Sequence, residues 1–279
     1  MANFLFYGLS EPLINLLIGH HSRFLSLFKI HHMKRSFLLI AFIGMSVLSL
    51  GQTADEIINQ YFETIGGLEK LNTISSVEMK AKVDYGGMSI PLQIVSMKDG
   101  RQFTKINFQG KEITQGAYDG TTAWGTNFMT MKAEKEDAES TENIKRSVGD
   151  LVSPFLNYND KGYSVELLPN ETIEGVDCFK LKLTKKPLLV DGEGVPNVEF
   201  YYIDKDNYVP IVVEQEINQG EMKGQISQTV FSDYQEVDGA YFAFSITQRI
   251  KDGMGQTIVI DSIELNKNYE ESMFAFPAE

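Results

Sequence analysis

Between Val77 and Asp84 the chain alternates without a fault, with Val77, Met79, Ala81 and Val83 on one side and Glu78, Lys80, Lys82 and Asp84 on the other. A period of two is that of a strand with one dry and one wet face. Tyr85-Gly86-Gly87 turns the chain, and Met88, Ile90, Leu92 and Ile94 run back, with Pro91 pointing to an edge or a bulge. Lys98-Asp99-Gly100, Gln109-Gly110 and Asp119-Gly120 punctuate three further runs, 101–108, 111–118 and 121–124. Strand signals resume at Ser164. Glu174-Gly175 turns into Phe179, Leu181 and Leu183, set against Lys180 and Lys182. After an expected loop at Asp191-Gly192-Glu193-Gly194 come runs over 198–203, 209–217, 222–234, 242–246 and 257–265, again separated by tight turns. The pattern predicts roughly ten or eleven antiparallel strands in one domain, since no Pro-, Gly- or Ser-rich linker divides them.

Helical spacing occurs in two places. Thr53 with Glu56 forms a capping box, Ile57, Ile58, Tyr61, Phe62 and Ile65 make an apolar stripe, and Gly66-Gly67 ends the helix. A short helical turn through Leu68–Leu71 follows. The stretch 132–147 is polar and charged, with Glu142 four residues before Arg146, and predicts an exposed helix. Beyond it Ile144, Val148, Leu151, Val152 and Phe155 share one helical face, interrupted by Gly149 and Pro154.

A different pattern precedes these elements. Lys34-Arg35, an apolar run from Phe37 to Leu50, and Ser49 and Gly51 at the minus-three and minus-one positions read as a secretory signal peptide cleaved after Gly51. The run is shorter than the ~20 residues of a spanning helix. The expected organisation is an upstream extension over 1–32 with Met33 as the true start, a signal peptide over 33–51, and a single β domain over 52–279. Composition then changes the chemistry available. All four histidines, His20, His21, His31 and His32, lie before the cleavage site, and Cys178 is the single cysteine. The mature chain therefore lacks Ser-His-Asp or Cys-His catalysis and histidine-ligated zinc. Residues 1–51 hold four basic side chains against one acidic, so cleavage takes the net charge from −13 to −16. Such a chain does not suit nucleic acid or an anionic membrane surface, both of which reward basic patches.

Local motifs add little chemistry. Asp204-Lys205-Asp206-Asn207 lacks the glycine and terminal glutamate of a calcium loop and predicts a hairpin turn. Gly192-Glu193-Gly194 and Gly253-Met254-Gly255 open no helix, so neither cradles a phosphate. The carboxylates read as a solvated outer face, not a hydrolytic pair. No metal and no cofactor is expected. A long meander with one apolar face must cover that face, and two helical regions are too few to do so over a flat sheet. The sheet is therefore expected to curl.

The stretch ADEIINQYFETIGGLEKL at 54–71, Tyr118-Asp119-Gly120 with Trp124, Glu174-Gly175-Val176, Phe200-Tyr201-Tyr202-Ile203-Asp204, Ser232-Asp233-Tyr234 with Val237-Asp238-Gly239, and the ending Asn266–Pro277 together resemble the outer membrane lipoprotein-sorting proteins, the LolA-like carriers. The resemblance covers essentially residues 52–277 and rests on turns and aromatic positions. It implies a mainly β fold with a few helices: a large curved antiparallel sheet forming a half-open barrel, LolA/LolB-like, with helices on its concave side over a hydrophobic cavity. It further implies a periplasmic carrier that binds lipid or the acyl chains of lipoproteins for delivery to the outer membrane. Inner- and outer-membrane transport proteins are its implied hand-over partners. The gating arginine of such carriers has no counterpart in a matching motif, the mature arginines being Arg101, Arg146 and Arg249. Met79, Met88, Phe108, Trp124, Phe179, Tyr202, Phe242 and Phe244 are expected on the concave side as the ligand-binding set, since Met and aromatic side chains adapt to loosely defined apolar ligands. For each of them singly, plain core is the commoner role. Ile144, Val148, Leu151, Val152 and Phe155 are the expected lid. The alternatives are a periplasmic lipid-sensing or protein-interaction module without cargo transfer, and a carboxylate hydrolase, which would need a buried acidic pair in a polar cleft.

Overall fold

A computed structural model of the chain describes residues 52–85 and 87–277. The upstream extension, the signal peptide and its cleavage at Gly51 lie outside the described residues. Helix α1 (Ala54–Thr64) begins with the expected capping box: Thr53 Oγ1 accepts from the Glu56 amide at 3.2 Å, and Glu56 Oε2 accepts from the Thr53 amide at 2.8 Å. Helix α2 (Leu68–Asn72) follows. The strands are β1 (Ser76–Tyr85), β2 (Met88–Met97), β3 (Gln102–Phe108), β4 (Lys111–Tyr118), β5 (Ala123–Thr126) and β6 (Ala133–Lys135), then, after helix α3 (Ala138–Arg146), β7 (Ser164–Ile173), β8 (Val176–Thr184), β9 (Leu188–Val190), β10 (Glu193–Val195), β11 (Val198–Asp204), β12 (Pro210–Glu216), β13 (Ile226–Val237), β14 (Ala240–Ile250) and β15 (Gly255–Leu265).

Thirteen of these strands form one antiparallel sheet in the order β6-β5-β4-β3-β2-β1-β15-β14-β13-β12-β11-β8-β7, and β9 and β10 make a separate ribbon. The sheet is open: β6 and β7 are its edges and do not meet. Two expectations are corrected. The exposed helix over 132–147 is shorter, because Ala133–Lys135 pairs with β5 and the Asp137 side chain accepts from the Ser140 amide at 2.6 Å, capping α3 there. The expected loop at 191–194 is a tight hairpin, with Glu193 opposite Val190.

Opposed residues in an antiparallel ladder point to the same side, so the register assigns the two faces. On the inner face Met79 lies between Ile94 and Ile263, and Ala81 between Leu92 and Ile260. There α1 buries Ile57, Ile58, Tyr61 and Phe62. The helix comes so close to the sheet that a Cβ at Gly66, whose φ is +125°, would sit 2.4 Å from the Gly239 carbonyl oxygen. Only glycine fits this approach, which the Tyr241 amide seals by donating to the Ile65 carbonyl at 3.0 Å.

The outer face is closed by the C-terminal tail. Val95, Phe103, Ala117 and Trp124 form a cluster with Phe274, and Trp124 Nε1 donates to the Phe274 carbonyl at 2.8 Å. Beside it the Glu78 carboxylate is buried and accepts from Lys267, from Tyr269 Oη at 2.7 Å and from Gln93 Nε2 at 2.6 Å. Burial raises the pKa of Glu78, but the hydrogen bonds from Lys267, Tyr269 and Gln93 outweigh it and bring it from 4.5 to about 2. A carboxylate depressed in the folded state stabilises the fold above its unfolded pKa and ceases to do so as pH falls through the folded one. Stability is therefore expected to drop by at most about 3 kcal/mol between pH ~4.5 and ~2 from this group. In Glu78→Gln that step disappears from the pH dependence of urea unfolding. A wild-type step of equal size in the variant would refute the assignment.

Candidate functional site

The inner face is apolar over most of β1, β2, β14 and β15, is interrupted by polar side chains such as Glu199, Thr229 and Gln248, and receives an uneven covering. At the end of the sheet near the β13–β14 turn it lies under α1 and under residues 147–163, where Phe155 and Tyr163 are buried and Leu151, Val152 and Leu156 pack against the same core. Phe155 meets Tyr201 edge-on with ring centroids 4.6 Å apart and Tyr61 at 6.3 Å. Toward the opposite end, where the β1–β2 and β3–β4 hairpins turn, Val83, Ile90, Ile106 and Phe108 are only half-buried. A cavity of about 90 Å³ lies between the start of the 147–163 segment and the sheet, lined by Ile94, Thr104, Val148, Leu151, Asp150 and Lys185 among others. Small-molecule sites measure roughly 300–1,000 Å³, so this space is too small for a long acyl chain.

The structure brings together part of the set expected from sequence. Met79, Phe179 and Phe244 are buried in the inner core, and Phe242 is packed against it. Met88 and Phe108 lie on the same face but at hairpin ends, Met88 being 47% exposed. Trp124 and Tyr202 are corrected: both point to the outer face. Trp124 is opposite Ala117 under the C-terminal tail, and Tyr202 is opposite Val212 in a second outer cluster with Cys178. Their aromatic character placed them on the inner side, whereas strand parity decides. Of the lid residues, Ile144 ends α3, Val148 follows it, and Leu151, Val152 and Phe155 belong to a segment of turns, not a kinked helix. Gly149, at φ +97°, takes the chain out of helical geometry.

Sequence reasoning missed a network of buried charge between this segment and the sheet. Lys185 Nζ lies 3.1 Å from Asp150 Oδ2 and 3.2 Å from Glu199 Oε1, and all three side chains are buried. Lys161 Nζ reaches Asp150 Oδ1 at 2.7 Å, and Tyr201 Oη donates to Glu199 Oε2 at 2.8 Å. Burial lowers the pKa of the Lys185 ammonium, but the Glu199 and Asp150 carboxylates outweigh it and hold the group above its ordinary value. Burial pushes the Tyr163 phenol up to about 12, with the Asp150 charge adding to the rise. A signal for the network existed. Phe179, Leu181, Leu183 and Lys185 occupy alternate positions, as do Glu199, Tyr201 and Ile203, so the two charges continue apolar faces.

Other candidates are turned inward on themselves. Asp204 Oδ1 accepts from the Asp206 amide at 2.9 Å and the Asp204 carbonyl from the Tyr208 amide at 2.8 Å, which makes 204–207 a hairpin turn. Burial raises the Cys178 thiol to about 11, helped by Asp204 and Asp177, so it is a poor nucleophile. Among the described residues no group of three or more His, Cys, Asp or Glu could hold a metal ion, and no helix is long and apolar enough to cross a membrane.

Residues 123–277 match a family model described as "-like: Uncharacterized protein". No curated protein matches the chain. Among solved structures, a DUF1329 family protein from Desulfovibrio piger is similar over 81% of this chain and 98% of its own, at 13% identity and a TM-score of 0.51. A LolA superfamily protein from Nitrosomonas europaea is similar over 81% of this chain and 98% of its own, at 14% identity and a TM-score of 0.50. The fold is LolA-like: mostly β, with a large open antiparallel sheet and helices on one face.

Removing one member of a buried ion network leaves its partners uncompensated, at a cost of ~3–5 kcal/mol. Lys185→Met is expected to lose that much in urea unfolding, and Lys185→Met with Glu199→Gln to recover more than half of it, because Asp150 keeps Lys161. A single variant within ~1 kcal/mol of wild type would show that water reaches these charges.

Proposed function

The chain belongs to the family whose model spans residues 123–277, and from that membership and its LolA-like fold we propose that it is an exported carrier, working in the periplasm, that shelters the acyl chains of a lipid or lipoprotein on the inner face of the sheet. The observation that carries this reading is the inner face itself. Its apolar character continues past the part covered by α1 and the 147–163 segment to Val83, Ile90, Ile106 and Phe108, which a sheet built only to close a core would leave polar. The task is binding, not catalysis. Burying an acyl chain is worth ~0.8 kcal/mol per CH₂ in a bilayer or in a protein interior alike, so transfer between the two is nearly balanced. A carrier then needs an apolar surface and a cover that moves.

The cover is the 147–163 segment. Lifting it exposes Leu151, Val152 and Phe155, which is unfavourable, but it also returns Asp150, Lys161 and Lys185 to water, which offsets part of that loss. The ion network thus makes the closed state specific in geometry without making it deep in energy. The cavity of about 90 Å³ beneath Val148 is where separation of the two layers has the least contact to break.

Two measurements test the reading. Native mass spectrometry of the protein purified from the cell envelope should show copurifying acylated species. A stoichiometric protein partner with no lipid would favour a sensing module instead. The second measurement locks the cover. A Cβ at Gly100 would lie 3.3 Å from the Val148 Cβ, close to the ~3.5–4.5 Å separation of a disulfide. The pair Gly100→Cys and Val148→Cys, oxidised, is expected to reduce acyl loading at least tenfold, with loading restored by reductant. Equal loading in both redox states would sink the moving cover.

A further inference from the structure

The antiparallel order places five hairpin turns at one end of the sheet, and β5–β6, β3–β4, β1–β2 and β14–β15 stand side by side there, next to β12–β13. Large apolar side chains are exposed there. Met88 is 47% exposed, Phe128 51%, Met129 95%, Met131 43% and Met254 100%, which is five of the nine exposed large hydrophobics among the described residues. Chance scatter would not gather most of them on one edge. The turns that present them satisfy their own polar groups. Asn127 Oδ1 accepts from the amides of Met129 at 2.9 Å and Thr130 at 3.1 Å, and the Asn127 carbonyl accepts from the Met131 amide at 2.7 Å. Asp84 Oδ1 accepts from the Gly87 amide at 3.0 Å, Asn107 Oδ1 from the Gly110 amide at 3.1 Å, and the Ile250 carbonyl from the Gly253 amide at 2.8 Å. Such turns can enter a water-poor layer with these polar groups already paired.

Charge on this edge is balanced within a strongly acidic chain. Lys251 is paired with Glu214 and Glu112 with Lys105, each at 2.9 Å, which leaves Lys111 and Lys132 against Asp84 and Asp252 over 84–89, 107–112, 127–132 and 250–256, whereas the whole chain carries −13. The edge is thus the place where a zwitterionic surface meets no net repulsion. Its shape narrows the partner further. Adjacent strands are ~4.8 Å apart, so neighbouring turns stand roughly 10 Å apart as a row of separate apolar points across eight strands. A rigid protein groove would have to match each point, while a fluid interface accommodates all of them, and unbranched methionines suit it.

We propose that these four hairpin tips are a membrane-docking edge, with Met88, Phe128, Met129, Met131 and Met254 inserted at the headgroup boundary of a lipid bilayer and Lys111 and Lys132 reaching lipid phosphates. Met88 and Phe108 also belong to the inner face, so the docked edge brings that face to the bilayer. The docking itself does not depend on the carrier reading, because it requires no cargo.

The test is flotation of the full chain with vesicles of phosphatidylcholine and phosphatidylethanolamine. Wild type is expected to float, with a partition coefficient that changes less than twofold between 0.1 and 0.5 M salt. A variant with Met88→Ser, Phe128→Ser, Met129→Ser and Met254→Ser is expected to partition at least tenfold less. A control with Leu68→Ser and Tyr241→Ser, exposed apolar residues at the other end of the sheet, should stay within twofold of wild type. The substituted side chains are exposed, so unchanged thermal unfolding verifies the fold. Equal binding by tip variant and wild type, equal loss in the control, binding abolished by salt, or a dimer that the tip substitutions dissolve would each overturn the proposal. Vesicle binding together with an absence of copurified lipid would retain the docking edge and remove the carrier.

Discussion

An open sheet with an apolar face must find something to lie against that face, and most of this molecule follows from that need. The register puts Val77, Met79, Ala81, Ile258, Ile260 and Ile263 on one side of the central strands, and among the described residues the second sheet is only the short β9–β10 ribbon. Helix α1 and the turns of 147–163 supply the covering, and each is fastened at its ends. The capping box holds one end of α1 and the glycine-only approach at Gly66 the other. The 147–163 segment is held by ions instead. Because two separate pieces share the task, the proposed motion of one does not require the other to leave.

The same sheet has two free edges, and both are blunted against pairing with another chain. Strand β6 has only three residues. Strand β7 carries Pro169 at a register shift between Leu168 and Glu171, and Lys180 of β8 reaches Glu171 at 2.7 Å. Short strands, proline, bulges and charge are the devices that keep an exposed edge from recruiting a neighbour. The open architecture is therefore tolerated without closure, which leaves one end of the inner face free for other contacts. Behind the central strands, the tail with Phe274 and the Glu78 cluster braces the outer face, so mobility on the inner side need not spread to the sheet.

Much of the fold could be read from alternation and turn chemistry. Strands β1 to β4, the capping box, and the Glu142–Arg146 pair at 3.3 Å all stand where periodicity and spacing put them. What the pattern could not supply was which face of a strand is which. Trp124 and Tyr202 are as apolar as Phe179 and Phe244, and only the register, a property of neighbouring strands, sends them to the outer side. The buried ions escaped for a related reason. Taken alone, Lys185 is a lysine after a strand and Asp150 an aspartate after a glycine, and their burial is created by segments far apart in the chain.

The placement of those ions carries a consequence for how the cover behaves. A cover held only by Leu151, Val152 and Phe155 would be stabilised in any position that hides them, because apolar contact is non-directional. Asp150 between Lys161 and Lys185, with Glu199 fixed by Tyr201, is satisfied in one arrangement only. Hydrophobic contact thus supplies the attraction and the ions select the position, while their desolvation keeps the closed state shallow. On the proposed carrier reading, a ligand entering the inner face would replace the apolar contacts directly but would give the charges nothing, so their route to satisfaction on opening would be water. Opening of the proposed cover would then be governed by how well water reaches Asp150 and Lys185, and the 90 Å³ cavity that both of them line is the place from which it would enter.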